Sequence, residues 1–195
     1  MQTIADRLRA ATSGDIILPR LNASQRAALK WAQVDDGNAV LEIFCANAGL
    51  LMTLADRYRI RACCLCEDEN SMAEISERAP QFECLYGTAR DLPWKDNSFN
   101  NVFITCSGYT KNRRQEIAQE LHRVIKEDGE LIISIPLFPF MYGEIPLIGK
   151  NNCNLPRVLA QELFTLLKDA GFQDVSIRFS SIKYATLIAK KQPLG

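Results

Sequence analysis

The residues best suited by type and spacing to chemistry lie between Val40 and Gly49, where Val40-Leu41-Glu42-Ile43 runs into Phe44-Cys45-Ala46-Asn47-Ala48-Gly49. A buried strand, a turn of small residues and a helix from Leu50 to Tyr58 are expected in immediate succession. α/β folds use that succession to hold a nucleotide-like ligand at the carboxyl edge of a sheet. Glu42 stands at the strand end, where its carboxylate can accept from the backbone N–H groups that follow. A second acidic group, Glu67-Asp68-Glu69, follows the next apolar run; carboxylates at a helix start are favoured by the helix dipole. Metal and thiol chemistry have fewer supports. Cys63 and Cys66 form one C-x-x-C, and His122 is the only histidine, short of the roughly four ligands that a zinc site needs. No metal is expected. Cys106 has no identifiable base to make it a nucleophile.

These groups must be positioned by a chain of 195 residues with 47% hydrophobic and 24% charged content, ordinary for one globular domain with a substantial core. Lys plus Arg and Asp plus Glu number 23 each, so no net field attracts nucleic acid or an anionic membrane. The apolar run Leu131 to Tyr142 is too short to span a bilayer and is broken by Pro136 and Pro139. The opening MQTIADRLRAATSGD lacks the apolar core of a signal peptide, and a cytoplasmic location is expected. Seven cysteines, several in strand-like runs (Cys63, Cys64, Cys66, Cys84, Cys106), suit reduced thiols used as small hydrophobes.

The periodicity predicts helices at Thr3–Ala11 and, capped by Asn22 or Ser24, over a second segment ending near Asp35-Asp36-Gly37, with Ala27, Ala28, Trp31 and Ala32 on one face. Strands are predicted at Ala39–Phe44, Arg61–Glu67, Phe82–Tyr86, Asn101–Thr105 and Glu130–Ile135, short and apolar as in a sheet covered on both faces. Helices fall between them at Leu50–Tyr58, Ser71–Arg78 and Arg113–Lys126, the last stopped by Asp128-Gly129. A helix from Arg157 to Ala170, closed by Gly171, precedes alternating runs at Asp174–Phe179 and Ile182–Ala189, whose short connection implies antiparallel pairing.

From Ala39 to Lys190 the chain resembles the class I S-adenosylmethionine-dependent methyltransferases, and most closely the small-molecule type of ubiquinone and menaquinone biosynthesis. The resemblance implies a Rossmann-like, seven-stranded, mostly parallel sheet with a C-terminal antiparallel hairpin and helices on both faces. It implies S-adenosylmethionine as cofactor. VLEIFCANAG is similar to the family's VLDxGCGxG, with Glu42 as the acid that helps hold the methionine end of the cofactor. The motif's three glycines fall on Phe44, Ala46 and Ala48; Asn47 and Gly49 are expected to ease the turn. A left-handed residue with a Cβ costs on the order of 1–2 kcal/mol. In CEDENSMAEISERA, Glu67 stands where the family has the acid that binds both ribose hydroxyls, with Asp68 beside it and Met72 in the matching register. GTARDLPW resembles the family's GDAxxLPF, so Thr88 replaces the adenine-facing Asp, the Ala89 backbone can meet the adenine edge, and Leu92 and Trp94 pack around it. KDNSFN matches PDNSFD, and ELHRVIKEDGE matches ELxRVLKPGG, which gives His122 a structural place. Thr105 ends the fourth strand on the side facing the transferable methyl, and Tyr109, Ser107 and Cys106 are the substrate-facing candidates.

The chain reads as one methyltransferase-like domain over residues 1–195, comprising N-terminal helices (1–36), a cofactor-binding half (39–135), a lid-like loop (136–156) and a C-terminal helix and hairpin (157–190). The apolar loop can cover a hydrophobic or aromatic small-molecule acceptor, or pack on the chain's own core or on a second copy in a homodimer. Two functions remain open: methyl transfer to such an acceptor, and a catalytically inactive methyltransferase-like protein serving as a binding or scaffold partner, to which the replaced glycines and Thr88 point. Neither nucleic acid nor a membrane is an expected partner.

Overall fold

The computed structural model describes residues 21–192 apart from Ala46 and residues 106–113, 137–154 and 182, with the backbone alone for 136 and 155–160. The predicted helix at Thr3–Ala11 and most of the lid-like loop therefore lie outside the described residues. Seven strands form one sheet: β1 (Ala39–Ile43), β2 (Arg61–Cys66), β3 (Glu83–Tyr86), β4 (Phe99–Ile104), β5 (Ile125–Pro136), β6 (Asp174–Phe179) and β7 (Tyr184–Lys190). Among the described residues five helices accompany it: α1 (Ala23–Leu29), α2 (Gly49–Arg57), α3 (Glu69–Arg78), α4 (Arg114–Val124) and α5 (Leu155–Asp169).

The strand order is β3-β2-β1-β4-β5-β7-β6. β1 to β5 run parallel, while β7 lies between β5 and β6 and is antiparallel to both. The expected mostly parallel sheet with a terminal hairpin is thus present. Period-two alternation sorts the side chains into two cores. Leu41, Ile43, Val102, Ile104, Leu131 and Ile133 pack with Leu121 of α4, Leu167 of α5 and Phe172. On the other face Val40, Phe103 and Ile132 pack with Ala28 of α1, Leu50 and Leu51 of α2 and Ile75 of α3. No helix of the described residues is long and apolar enough to cross a membrane.

Helix ends differ from the periodicity for definite reasons. Asn22, not Ser24, caps α1, and the helix stops at Leu29 rather than near Asp35. The Ala27 carbonyl, which a longer helix would offer to Trp31, instead accepts from Ser180 Oγ (3.0 Å) and Thr186 Oγ1 (2.9 Å). The Trp31 N–H turns to Ala28 O (3.3 Å) and its indole donates to Ser180 Oγ (3.0 Å), so Trp31 is not on the helix face. α4 ends at Val124 because Ile125 already pairs with Phe99 in the sheet; the ladder resumes at Glu130 opposite Asn101. Asp128, at φ 61°, and Gly129 make the intervening turn. A Cβ on Gly129 would lie 2.7 Å from Ile125 Cγ2 and 2.9 Å from the Lys126 carbonyl, so no other residue fits.

α5 closes as expected: Gly171, at φ +106°, lets the Phe172 N–H reach Leu167 O and its own N–H reach Lys168 O, both at 3.0 Å. His122 stands edge-on to Phe172 (centroids 5.1 Å apart) and beside Gly171, at the end of the sheet where β5 begins. Burial holds its imidazole below the usual value. That location is remote from the carboxyl edge and fits a packing role. Asn100, in the KDNSFN segment, accepts from the Ala39 N–H and from Lys126 Nζ, both at 3.0 Å, and joins the starts of β1, β4 and β5.

Candidate functional site

The strand order reverses between β1 and β4, and ligands of open α/β sheets bind in the crevice beyond the carboxyl ends at such a switch point. Glu42 lies there, 1% exposed. Its Oε1 accepts from Thr105 Oγ1 (2.8 Å) and Gln25 Nε2 (3.3 Å), and its Oε2 accepts from Cys45 Sγ (3.4 Å). The expected capping of backbone N–H groups by Glu42 is replaced by three side-chain donors from three segments. The backbone role belongs to Asn47, whose Oδ1 accepts from the Gly49 N–H (3.0 Å) and from Gln25 Nε2 (3.2 Å).

Burial pushes the Glu42 carboxyl above its ordinary 4.5, and its hydrogen bonds offset that only in part. The folded chain therefore binds more protons than the unfolded chain between the two values. The associated stability is full below pH 4.5 and is lost as pH rises through the folded value, at up to about 1.4 kcal/mol per pH unit. Glu42→Gln keeps an oxygen for Thr105 and Gln25 and cannot ionise. Thermal melts from pH 4 to 8 are expected to show the variant losing less stability with rising pH than the parent; parallel curves would contradict the assignment.

The turn itself takes its left-handed geometry at Phe44 (φ 59°) and Ala48 (φ 50°). Asn47 and Gly49 do not carry it, contrary to expectation: Gly49 is the first residue of α2, and Asn47 contributes through its side chain. Ala46 lies outside the described residues. Phe44 is buried in the core, so its ring compensates for its strained backbone, whereas Ala48 brings only a methyl group. The left-handed Cβ costs about 1–2 kcal/mol, and glycine returns roughly half of that through backbone entropy. Ala48→Gly is expected to raise stability by about 0.5–1 kcal/mol, read as a higher urea midpoint at unchanged slope. A lower midpoint would contradict the strain.

Gln25 was not among the expected site residues. Asn22 and Gln25 form a capping box, the Gln25 N–H donating to Asn22 Oδ1 (2.8 Å) and the Asn22 N–H to Gln25 Oε1 (3.1 Å). With the oxygen so engaged, the amide nitrogen is held toward Glu42 and Asn47, and α1 becomes part of the site. Asn22-x-x-Gln25 is a legible capping signal, but nothing in that spacing names the inward partners.

At the tip of β2 the two acids divide. Asp68 caps α3, accepting from the Ser71 N–H at 2.7 Å, and this holds its carboxyl below the usual range. Glu67 is exposed and has no hydrogen-bond partner among the described residues; partial burial and the neighbouring Asp68 hold its carboxyl above the ordinary value. At the tip of β3 the Gly87 N–H donates to Cys66 O (3.1 Å), tying the two strand ends together. Thr88 is exposed and its Oγ1 accepts from the Arg90 N–H and Nε, both at 3.3 Å, while Ala89 is buried. Leu92 and Trp94 are buried as packing residues; the Trp94 indole donates to Glu83 Oε1 (2.8 Å) and its ring stands edge-on to Phe99 (5.4 Å). Hydrogen bonds thus join Glu42, Asn47, Gly49 and Thr105, while Glu67, Asp68, Thr88 and Ala89 stand on the adjacent strand tips. Cys106, Ser107 and Tyr109 lie outside the described residues. Among the described residues, no three His, Cys, Asp or Glu side chains are arranged to hold a metal ion.

Sheet order, terminal hairpin and switch-point turn define a Rossmann-like methyltransferase fold. A methyltransferase-domain family model matches residues 40–129. The ubiquinone/menaquinone biosynthesis C-methyltransferase of Paracoccus denitrificans is 24% identical over 191 residues, covering 83% of this chain and 76% of the relative. A S-adenosylmethionine-dependent methyltransferase from Aquifex aeolicus superposes with TM-score 0.66 at 16% identity, covering 96% of this chain and 98% of that one. Phosphoethanolamine N-methyltransferase 2 of Haemonchus contortus, in complex with S-adenosyl-L-methionine, gives TM-score 0.68 at 14% identity over 92% of this chain and 55% of that one. Over residues 40–129 the chain thus matches the methyltransferase-domain family, and as a whole it has the fold of the S-adenosylmethionine-dependent methyltransferases.

Proposed function

We propose that this chain transfers the methyl group of S-adenosylmethionine to a small, hydrophobic or aromatic acceptor by in-line displacement. The observation that supports it most is the convergence, beside the β1/β4 switch point, of the turn 44–49 with a strand-tip carboxylate that no described residue engages. Glu67 offers two acceptor oxygens at the place where a ribose diol needs them, because capping of α3 falls to Asp68. That donor and acceptor set fits the cofactor. Glu42, Phe44, Ala46, Asn47, Ala48 and Gly49 are the proposed residues around its methionine end, Glu67 and Asp68 those at the ribose, and Thr88 and Ala89 those at the adenine.

When bound, S-adenosylmethionine supplies a sulfonium methyl that is already electrophilic. The chain's task is then to hold an acceptor in line and to exclude water. Gln25, Thr105 and Cys45 hold Glu42 in one orientation beneath the turn, and Thr105 leads directly into Cys106, Ser107 and Tyr109, the proposed acceptor-facing residues. The loop 136–156 is proposed as the apolar cover, or as a contact between two copies. The name of the Paracoccus relative favours an acceptor of quinone-biosynthesis type. The scaffold alternative draws no support from relatives named as methyltransferases. Calorimetric titration with S-adenosylmethionine and S-adenosylhomocysteine tests the reading: micromolar binding of both is expected, and no binding of either to folded protein at millimolar concentration would overturn it.

A further inference from the structure

Four of the described cysteines meet on one face of the sheet, and the methyl-transfer reading uses none of them as a reacting group. Cys64 and Cys66 alternate along β2, and Cys84 on the parallel neighbour β3 is the register partner of Cys64. Cys45 joins them, its N–H donating to Leu65 O at 3.0 Å. Cys45, Cys64 and Cys66 pack in one apolar cluster, with Cys84 against it. Cys45, Cys64 and Cys66 are buried, Cys84 is only half-buried, and all are free thiols. Their arrangement is not one that holds a metal ion.

We propose that Cys64 and Cys84 form an oxidisable dithiol, which a hydroperoxide converts to an intrachain disulfide joining β2 to β3. Register partners on adjacent strands project to the same face, and the ~4.8 Å strand spacing falls within the roughly 4.4–6.8 Å between Cα atoms that a disulfide bridges. Cys84, half-buried, is the member open to a reagent, and the neighbouring Cys64 holds its thiol below the usual value. Cys63, on the opposite face, is pushed up to about 12 by burial and by Glu83, and stands outside the group.

The Cys84 thiolate attacks one peroxide oxygen; the O–O bond breaks, water or an alcohol leaves with a proton, and a sulfenic acid remains at Cys84. The Cys64 sulfur then attacks the Cys84 sulfur, the S–O bond breaks, and water leaves with the Cys64 proton. Two electrons pass from the two thiols to the peroxide. The proposal stands independently of methyl transfer.

The test uses the whole folded chain, treated with hydrogen peroxide, then denatured, alkylated and digested with trypsin without reduction. Mass spectrometry is expected to find the peptide 62–78 linked to the peptide 79–90, with fragmentation placing the bond at Cys64 rather than Cys63 or Cys66. Cys84→Ser and Cys64→Ser should each abolish the link, and Cys66→Ser should leave it. A link between other cysteines, sulfinic acid at Cys84 without a link, or full alkylation of both residues after treatment would each overturn the proposal.

Discussion

Arg123→Ala is expected to destabilise the protein by about 2–4 kcal/mol, the sum of several hydrogen bonds at roughly 0.5–1.5 kcal/mol each. The guanidinium of Arg123 holds the Leu92–Asp96 segment against α4. Its Nη2 donates to Leu92 O (2.9 Å), and its Nη1 to Trp94 O (2.8 Å) and Asp96 Oδ1 (2.9 Å). Nε and Nη2 grip both oxygens of Glu120 at 2.7 Å, and Glu120 in turn accepts from the Leu92 N–H at 2.8 Å. The ion pair alone is worth little, since the Arg123 side chain is 30% and that of Glu120 19% exposed. The larger loss is two carbonyls left without a donor beneath buried Leu92 and Trp94. Arg123→Lys, with one ammonium in place of a planar fork, should recover about half the loss. Urea denaturation checks the magnitude and Trp94 emission the local effect. A loss under about 1 kcal/mol would show that apolar packing alone holds the segment.

Much of this fold is legible because its strands are covered on both sides. Val40-Leu41-Glu42-Ile43 and Val102-Phe103-Ile104 are continuous apolar runs with one functional interruption, and the alternation after Asp174 marks the hairpin. What escapes is set by partners far along the chain. The end of α1 depends on Ser180 and Thr186 capturing the Ala27 carbonyl, which no local periodicity contains. The same holds in the site. The resemblance to methyltransferase motifs locates Glu42 and Glu67, but which turn residues go left-handed depends on what the core accepts, and it accepts Phe44. Gln25 is legible as a helix cap and illegible as a bridge to Glu42, because the bridge exists only once β1 lies under α1. Alternation in Arg61-Ala62-Cys63-Cys64-Leu65-Cys66 separates Cys63 from Cys64 and Cys66, yet only the β2/β3 register brings Cys84 opposite Cys64.

Removal of the Glu67 carboxylate is expected to have the largest effect on ligand binding. If Glu67 holds the ribose diol, Glu67→Ala removes two charge-assisted hydrogen bonds and weakens S-adenosylhomocysteine binding by about 1–3 kcal/mol, roughly 5- to 150-fold in Kd. The fold should tolerate the change: the side chain is exposed, it has no hydrogen-bond partner among the described residues, and Asp68 alone caps α3. Glu67→Gln keeps one acceptor oxygen and loses the charge, so its affinity should fall between those of the parent and the alanine variant. Asp68→Ala provides the contrast. It removes an N-cap worth about 1 kcal/mol of stability and should change ligand affinity far less. Calorimetric titration paired with thermal melts separates the two residues. A Glu67→Ala variant that binds as the parent does would sink the ribose assignment. An affinity loss greater for Asp68→Ala would transfer that role to its neighbour, because a cap that also touched the ligand would show in both measurements at once.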